Sequence, residues 1–439
     1  MRSYSAKVEP DTVKVGLLGC GVVGTGVLKL LAQRGGLLAR EEGVVFQVKR
    51  IAVKQKDKPR DPVVDRSLLT GDLLAVAGDP GVDMIVEVMG GKEPALTALR
   101  QALEAGKDVV TANKLVLAED GEALEALARE KGRFLAYEGS VAAAIPIIQA
   151  LDRGMVAEKF QSLLGILNGT TNYILCTMER ESLSYAEALK EAQNKGFAEA
   201  DPTLDVSGMD ATQKLAILVR KVFGIAIHPE RIPREGIEGV SSLDIENAGQ
   251  FGYRIKLLGI ARRINGKVEV GLRPTLVSKR HILADVWDEF NAVALVGENC
   301  GPLLFYGRGA GQTATANAVL ADMVALAKLR SAAADAGRLM FKGRADRLEV
   351  LPREEAEARF YLRFALNELG GASSKVTTLL EASEVRVAKM IKTELAGGKQ
   401  SSLVILTHRV REGTLRETLR EAGEMKFVLE APTVIRIED

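Results

Sequence analysis

Cysteine is scarce and unpaired in number: three residues, Cys20, Cys176 and Cys300, lie far apart in a chain of 439. That excludes a disulfide framework and fits a reducing compartment. Histidine is equally rare, and His228, His281 and His408 have no metal-ligand spacing. Charge of one sign is missing too. Lys and Arg number 59 against 58 Asp and Glu, a net charge of +1, so nothing in the balance asks for a nucleic-acid or acidic-membrane partner. No apolar run follows Met1, and none approaches the roughly 18 residues of a membrane span. The expectation is a soluble, cytoplasmic protein. What is present is ordinary for a globular chain, 47% hydrophobic and 27% charged, and the length suggests two or three domains.

The strand-like run Val13 to Leu18 leads into Gly19-Cys20-Gly21-Val22-Val23-Gly24 and then a helical pattern. This is GxGxxG in the strand–turn–helix setting that gives it meaning. Gly19 permits the tight turn, Gly21 lets backbone approach a pyrophosphate, Gly24 lets helix and strand pack closely, and the helix N-terminus at Val22 and Val23 offers N–H groups. The next strand, Val44 to Val53, ends in Lys54-Gln55-Lys56-Asp57-Lys58, with Arg60 beyond. A carboxylate at this place binds a ribose 2′-hydroxyl, whereas lysines suit a 2′-phosphate, so NADP is favoured and Asp57 keeps NAD open. Strands over Val82 to Val88 and Val109-Val110 alternate with a helix from Pro94 to Ala105, which predicts a doubly wound parallel sheet. Lys114 follows the last of these strands, where ligands of such sheets bind.

Small residues crowd Leu135 to Ile148, allowing close backbone approach to a ligand or simply tight packing. Asn168-Gly169-Thr170-Thr171-Asn172 opens a helix, and N-capping alone accounts for it. The densest group of polar residues is Asn194 to Lys214, with Glu199, Asp201, Asp205, Asp210 and Lys214 interrupted by Pro202 and Gly208. Pro202 predicts a loop for the acidic part. From Met209 apolar residues recur at helical spacing until Gly224, so Asp210 and Lys214 share one face of a helix. Further strands are expected over Val268 to Val277, Val286 to Val296 and Leu303 to Phe305. Gly307 to Gly311 then leads into a helix over Ala316 to Leu329, again presenting N–H groups. Residues 331–357 suit a linker. Beyond it the pattern is strand, helix, strand, strand, helix, strand, the ferredoxin-like order.

Several stretches together resemble the homoserine dehydrogenases: GLLGCGVVGTGV (16–27), VVTANK (109–114), YEGSVAAAIPII (137–148), GILNGTTNYIL (165–175), GFAEADPTLDVSGMDATQKLAIL (196–218) and GRGAGQTATANAV (307–319). The end of the chain resembles an ACT domain, a small-molecule-binding module. The resemblance implies three parts: a Rossmann-type cofactor domain over 1–145 completed by 307–330, an α+β catalytic and dimerisation domain over 146–306, and an ACT domain over 358–439. It implies reversible NAD(P)-dependent interconversion of L-aspartate 4-semialdehyde and L-homoserine, on the way to threonine and methionine. Carried over by position, Lys214 is the proton donor and Asp210 its partner. Glu199 binds the substrate amino group, Asp205 and Gly196 line the site, and Lys114 lies beside cofactor and substrate. Glu138, Val141, Ala143 and Ile145 match a monovalent cation (sodium) site made mostly of backbone carbonyls, and Gly311 a cofactor contact of the return loop. A homodimer or homotetramer and a threonine effector are further implications. Three departures stand out. Gly139, Ala143 and Ala144 alter the family's YEASVAGGIP, Ala314 and Asn317 replace a proline and a serine, and Asn367-Glu368-Leu369-Gly370 lacks the acid and proline of the effector-binding turn. Two other readings are a catalytically inactive ACT-type sensor and a related amino-aldehyde dehydrogenase.

Overall fold

A computed structural model describes residues 10–332, 348–367, 371–394 and 400–439. The chain divides into two units. One takes in the residues through Ala157, Ala216–Pro229 and the described residues from Phe305 to Ala332; the other contains Glu158–Leu215, Glu230–Leu304 and the described C-terminal part from residue 348.

The first unit is built on six parallel strands: β1 Asp11–Leu18, β2 Val44–Ala52, β3 Leu69–Thr70, β4 Met84–Glu87, β5 Asp108–Thr111 and β6 Leu135–Ala136, in the order β3-β2-β1-β4-β5-β6. β4 and β5 are buried throughout, as near-continuous apolar runs in a parallel sheet should be. The order reverses between β1 and β4, so the crevice beyond their carboxyl ends is where this topology binds ligands. The helix Gln312–Ala332 returns to this unit and packs Ala316, Val319 and Met323 into its core beside Val15, Leu17 and Val27.

The second unit carries an eleven-stranded mixed sheet. Its strands are β7 Phe160–Ile166, β8 Tyr253–Ile264, β9 Lys267–Ser278, β10 Phe290–Gly297, β11 Gly301–Arg308, β12 Glu349–Val350, β13 Glu357–Asn367, β14 Val387–Glu394, β15 Gln400–Thr407, β16 Val410–Arg411 and β17 Thr433–Glu438. The main path runs β11-β10-β7-β8-β9-β17-β13-β15-β14. The last four strands, with helices Ala372–Ala382 and Glu412–Gly423, have the βαββαβ order and a core of their own around Phe360, Leu362 and Phe364. Their sheet is nevertheless continuous with the rest, because β17 pairs in parallel with β9. Buried ion pairs join β9 to the C-terminal part: Arg436 of β17, which also holds Glu438, meets Glu269 of β9, and Arg273 of β9 meets Glu412, which the part-buried Arg353 holds as well.

Three local expectations are corrected. The Tyr253–Ile264 strand is central, although no strand is expected there from sequence. Val286 to Glu289 is a loop rather than strand, because the Asn172 amide takes the carbonyls of Val286, Asp288 and Phe290 at 2.9–3.4 Å. The acidic stretch is not all loop. Past Pro202 the chain makes one helical turn, Thr203–Val206, with Asp201 accepting from Thr203 N–H at 3.1 Å. In the C-terminal turn only Asn367 is described; residues 368–370 lie outside the described residues.

Candidate active site

In the second unit a short strand end, a capped helix and a second helix bring four polar side chains together. Asn168 follows β7 and caps the helix Gly169–Glu181, its Oδ1 accepting from Thr171 N–H at 2.8 Å. The other end of the same amide is what sequence reading missed. Its Nδ2 donates to Asp205 Oδ1 at 2.7 Å and to Asp210 Oδ2 at 2.9 Å. Nothing distinguishes such an amide from a plain cap in sequence, since both uses need only Asn. Asp210 and Lys214 lie one turn apart at the start of the helix Met209–Phe223, and Lys214 Nζ donates to Asp210 Oδ2 at 2.7 Å. The ammonium also reaches Leu167 O at 2.9 Å. This is not a surface pair: the side chains are 11% and 8% exposed.

Two consequences follow. An ammonium has three donors, so two fixed bonds aim the remaining N–H of Lys214 in a defined direction. Asp205 and Asp210 also place two carboxylates against that one ammonium. Burial and the adjacent Asp210 charge push the Asp205 carboxyl up from its ordinary value, while Asn168, Thr170 and Lys214 pull it back.

Glu199 and Gly196 lie on the exposed loop after the helix Tyr185–Asn194. Gly196 turns the chain at φ +77°, a conformation that favours glycine. Thr170 Oγ1 donates to Phe197 O at 2.8 Å, and Phe197 packs on Tyr173 with ring centroids 4.6 Å apart, so this loop is pinned beside the Asn168 turn. Among the described residues the Glu199 carboxylate bonds to none of Asn168, Asp205, Asp210 or Lys214. The structure thus assembles Asp205, Asp210 and Lys214 and leaves Glu199 facing solvent.

In the first unit the glycine-rich turn has the geometry that a phosphate cradle needs. Gly19 sits at φ +94°, and a Cβ there would lie 2.9 Å from Val88 O; a Cβ at Gly24 would lie 2.4 Å from Gly19 O. At Gly21 a Cβ would meet nothing within 4 Å, so that backbone faces open space, as close approach of a pyrophosphate requires. Val22 is largely exposed and Val23 half-buried at the helix start. The return segment closes on this turn: Gly311, at φ +125°, precedes the last helix, whose Gln312 Nε2 donates to Val22 O at 2.9 Å. Lys54, Gln55, Lys56, Asp57, Lys58 and Gly71 line an open basin after β2. Arg60 ties that loop to the turn, donating to Cys20 O at 2.8 Å and Gln55 O at 2.7 Å. Lys114, half-buried, begins the helix Lys114–Glu130 behind its cap Asn113.

Glu138, Val141, Ala143 and Ile145 form one buried turn. Ala142 and Ala143 both take positive φ, 52° and 29°, where non-glycine residues are strained. The Glu138 carboxylate accepts from Ile148 N–H at 2.9 Å and Gln149 N–H at 2.7 Å, which fixes it against the backbone that follows. Among the described residues no three His, Cys, Asp or Glu side chains group as metal ligands.

Comparison with known proteins bears on both halves. The sequence pattern described as "Homoserine dehydrogenase, NAD binding domain" matches residues 19–138, and that described as "Homoserine dehydrogenase" matches 146–324. The homoserine dehydrogenase of Bacillus subtilis (strain 168) is 37% identical over 427 residues, 97% of this chain and 98% of that one. The chain belongs to the homoserine dehydrogenase family. A crystal structure of a family member from Thiobacillus denitrificans superposes with a TM-score of 0.91 at 37% identity, covering 98% of this chain and 99% of that one. A hyperthermophilic archaeal homoserine dehydrogenase mutant in complex with NADPH gives a TM-score of 0.63 at 25% identity, covering 72% of this chain and 98% of that one. The protein is therefore an oxidoreductase with a nicotinamide dinucleotide-binding domain. Both family patterns end before residue 325, and the βαββαβ part lies beyond them.

Proposed function

We propose that this chain catalyses the reversible interconversion of L-aspartate 4-semialdehyde and L-homoserine, using NADP in preference to NAD, with Lys214 as the proton donor. The observation that carries this is the largely enclosed Lys214 ammonium, fixed by Asp210 Oδ2 and Leu167 O with one N–H left to aim. A bound nicotinamide supplies the hydride for the aldehyde carbon. As that carbon gains the hydride its oxygen becomes an alkoxide, and Lys214 gives it a proton to leave the alcohol; in the reverse direction the lysine takes the proton back. Asp210 holds the ammonium in place. Asp205, with Glu199 and Gly196 on the pinned loop, receives the substrate's amino group. Lys114, at the carboxyl end of β5, serves the nicotinamide end of the cofactor.

Gly19, Gly21, Val22, Val23 and Gly24 hold the pyrophosphate, Gly311 supports them, and Lys54 meets the 2′-phosphate. The carbonyls of Glu138, Val141, Ala143 and Ile145 would hold a monovalent cation such as sodium, which suits their all-oxygen donors and their strained turn. The βαββαβ part is an ACT module that joins chains into a homodimer or homotetramer, and the threonine arm of the assay below tests whether it also takes an effector. The cytoplasm is the fitting compartment.

The decisive assay follows absorbance of the reduced nicotinamide with homoserine and NADP or NAD, with and without threonine. Lys214→Ala should reduce turnover by about a thousand-fold, within the range of general acid–base catalysis, while leaving cofactor affinity unchanged. Turnover like wild type would remove the proton-donor role. No homoserine-dependent reduction in the wild-type protein would return the chain to the sensor reading.

A further inference from the structure

Glu87 is the last residue of β4 and is fully buried, yet nothing in the mechanism above uses it. It pairs across the sheet with Leu18 on β1 and with Thr111 on β5, so it stands at the carboxyl ends of three adjacent strands at the switch point. Its Oε1 accepts from Met89 N–H at 2.7 Å and its Oε2 from Thr111 Oγ1 at 2.5 Å. Thr111 Oγ1 in turn accepts from Asn113 N–H at 3.0 Å. The Asn113 side chain donates to Gly91 O at 2.8 Å and also toward Glu87, while its Oδ1 caps the helix that Lys114 begins. Met89 faces the glycine-rich turn, since a Cβ at Gly19 would lie 2.9 Å from Met89 Cγ.

One carboxylate thus ties the exit loop of β4, the exit of β5 with Lys114, and the packing of the β4 loop on Gly19. Burying an acid without an ion pair is unfavourable, and three hydrogen bonds offset only part of that cost. Burial accordingly pushes this carboxyl up to about 7 against the pull of Thr111, Met89 and Asn113. Core packing alone has no need of such a group, and an apolar residue in a fully buried strand would be more stable. The crevice where the reactive end of a dinucleotide belongs is what the network surrounds.

We propose that Glu87 is a positioning residue of the cofactor crevice: through Met89, Thr111 and Asn113 it sets the two strand exits against which the nicotinamide end of the cofactor binds. This rests on the dinucleotide-binding character of the first unit and deepens the function proposed above. Glu87→Ala loses every bond and should weaken binding of NADPH, read by its fluorescence, by about ten-fold. Glu87→Gln keeps the acceptor for Met89 N–H and the volume, but turns a donor toward Thr111. It should melt like wild type and weaken NADPH by about three-fold. Thr111→Val removes the same contact from the other side. The Glu87→Gln/Thr111→Val double variant should lose no more than Thr111→Val alone, which already removes the Glu87 contact together with the acceptor for Asn113 N–H. In the coupled assay the cofactor KM should rise while the homoserine KM holds.

Wild-type NADPH affinity in all variants would overturn the proposal. So would equal losses in melting temperature, kcat and both Michaelis constants, which mark general weakening of the fold. NADPH binding is read without substrate. A failed homoserine assay with altered NADPH affinity would therefore sink the substrate assignment and leave Glu87 in its role.

Discussion

At the seam between β9 and β17, buried acids sit among arginines: Glu438 between Arg436 and Arg262, Glu412 between Arg273 and Arg353. Beside the parallel sheet of the first unit, Glu87, Glu138 and Asp322 are buried as deeply, with backbone N–H groups, hydroxyls and amides for partners. The consequences for the proton are opposite. Burial alone raises any carboxyl, and at Glu412 and Glu438 the guanidinium charges outweigh it and hold the acid below its ordinary range. At Glu138 and Asp322 burial wins, and the carboxyls are pushed up to about 7 and about 6. Glu125, held down by Lys221 and Arg220, shows that the rule follows the partner rather than the unit. Where two layers of chain must be locked at neutral pH, charge meets charge. Where backbone of the first unit is held at the ends of its sheet, neutral donors carry an acid close to its titration point.

Breaking one of the charged pairs should have the largest effect. Glu412→Ala leaves Arg273, 6% exposed, without its carboxylate, while the part-buried Arg353 keeps only Glu235. Removing one partner of a buried pair costs about 3–5 kcal/mol. Calorimetry should show the C-terminal core melting well before the rest. A loss under about 1 kcal/mol would mean that Arg273 reaches water easily, and the contrast between the two regions would fall.

The second test uses pH. A carboxyl raised from 4.5 to about 7 in the folded state binds a proton that the unfolded chain has already lost. Its contribution is full below about pH 4.5 and declines as pH rises toward 7, so the sign is opposite to that of a salt-bridged acid. Glu138→Gln should therefore be less stable than wild type at pH 5 and gain on it steadily toward pH 8. The swing should be on the order of 3 kcal/mol, shared with Asp322 next to it. Glu412 works the other way: its stabilisation is present above the ordinary carboxylate value and is lost as acid titrates it. Parallel pH–stability curves for wild type and Glu138→Gln would show that the carboxyl is charged in both.

How far these sites were legible in the sequence depended on what each residue type does locally. The glycine-rich turn was legible because strand, turn and helix each leave a local pattern, and φ +94° at Gly19 is something only glycine adopts readily. The Asp210–Lys214 face was legible as helical spacing, but its burial was not, since depth depends on β7 and Asn168, some forty residues earlier. β8 left little trace. Lys256 and Gly259 interrupt its apolar run, and a mid-strand glycine weakens any strand pattern. In the fold both have reasons. Gly259 leaves room for Leu167 and Leu215, which a Cβ would meet at 3.2 Å, and Lys256 is buried on the carbonyl of Val286 and the Asn172 amide. Glu87 reads in sequence only as a polar interruption of a buried strand, since its partners come from β5 and from the loop behind it.

The smallest expected effect concerns a place where charge is neither paired nor buried. Among the described residues Lys54, Lys56 and Lys58 form no ion pair, and all three are exposed beside Asp57 around the basin after β2. Three lysines beside a single aspartate leave a net repulsion, and solvent screening makes it small. A bound dianionic phosphate turns the same repulsion into attraction, whereas a free 2′-hydroxyl gains nothing from it. Lys54→Glu should then lower the preference for NADP over NAD by about ten-fold, equal to roughly 1.4 kcal/mol, with little change in melting temperature. Raising the salt concentration should erode the wild-type preference in the same direction. An unchanged cofactor ratio in the variant would mean that Lys54 points only at water, and the 2′-phosphate would have to be met by Lys56, Lys58 or Arg60 instead.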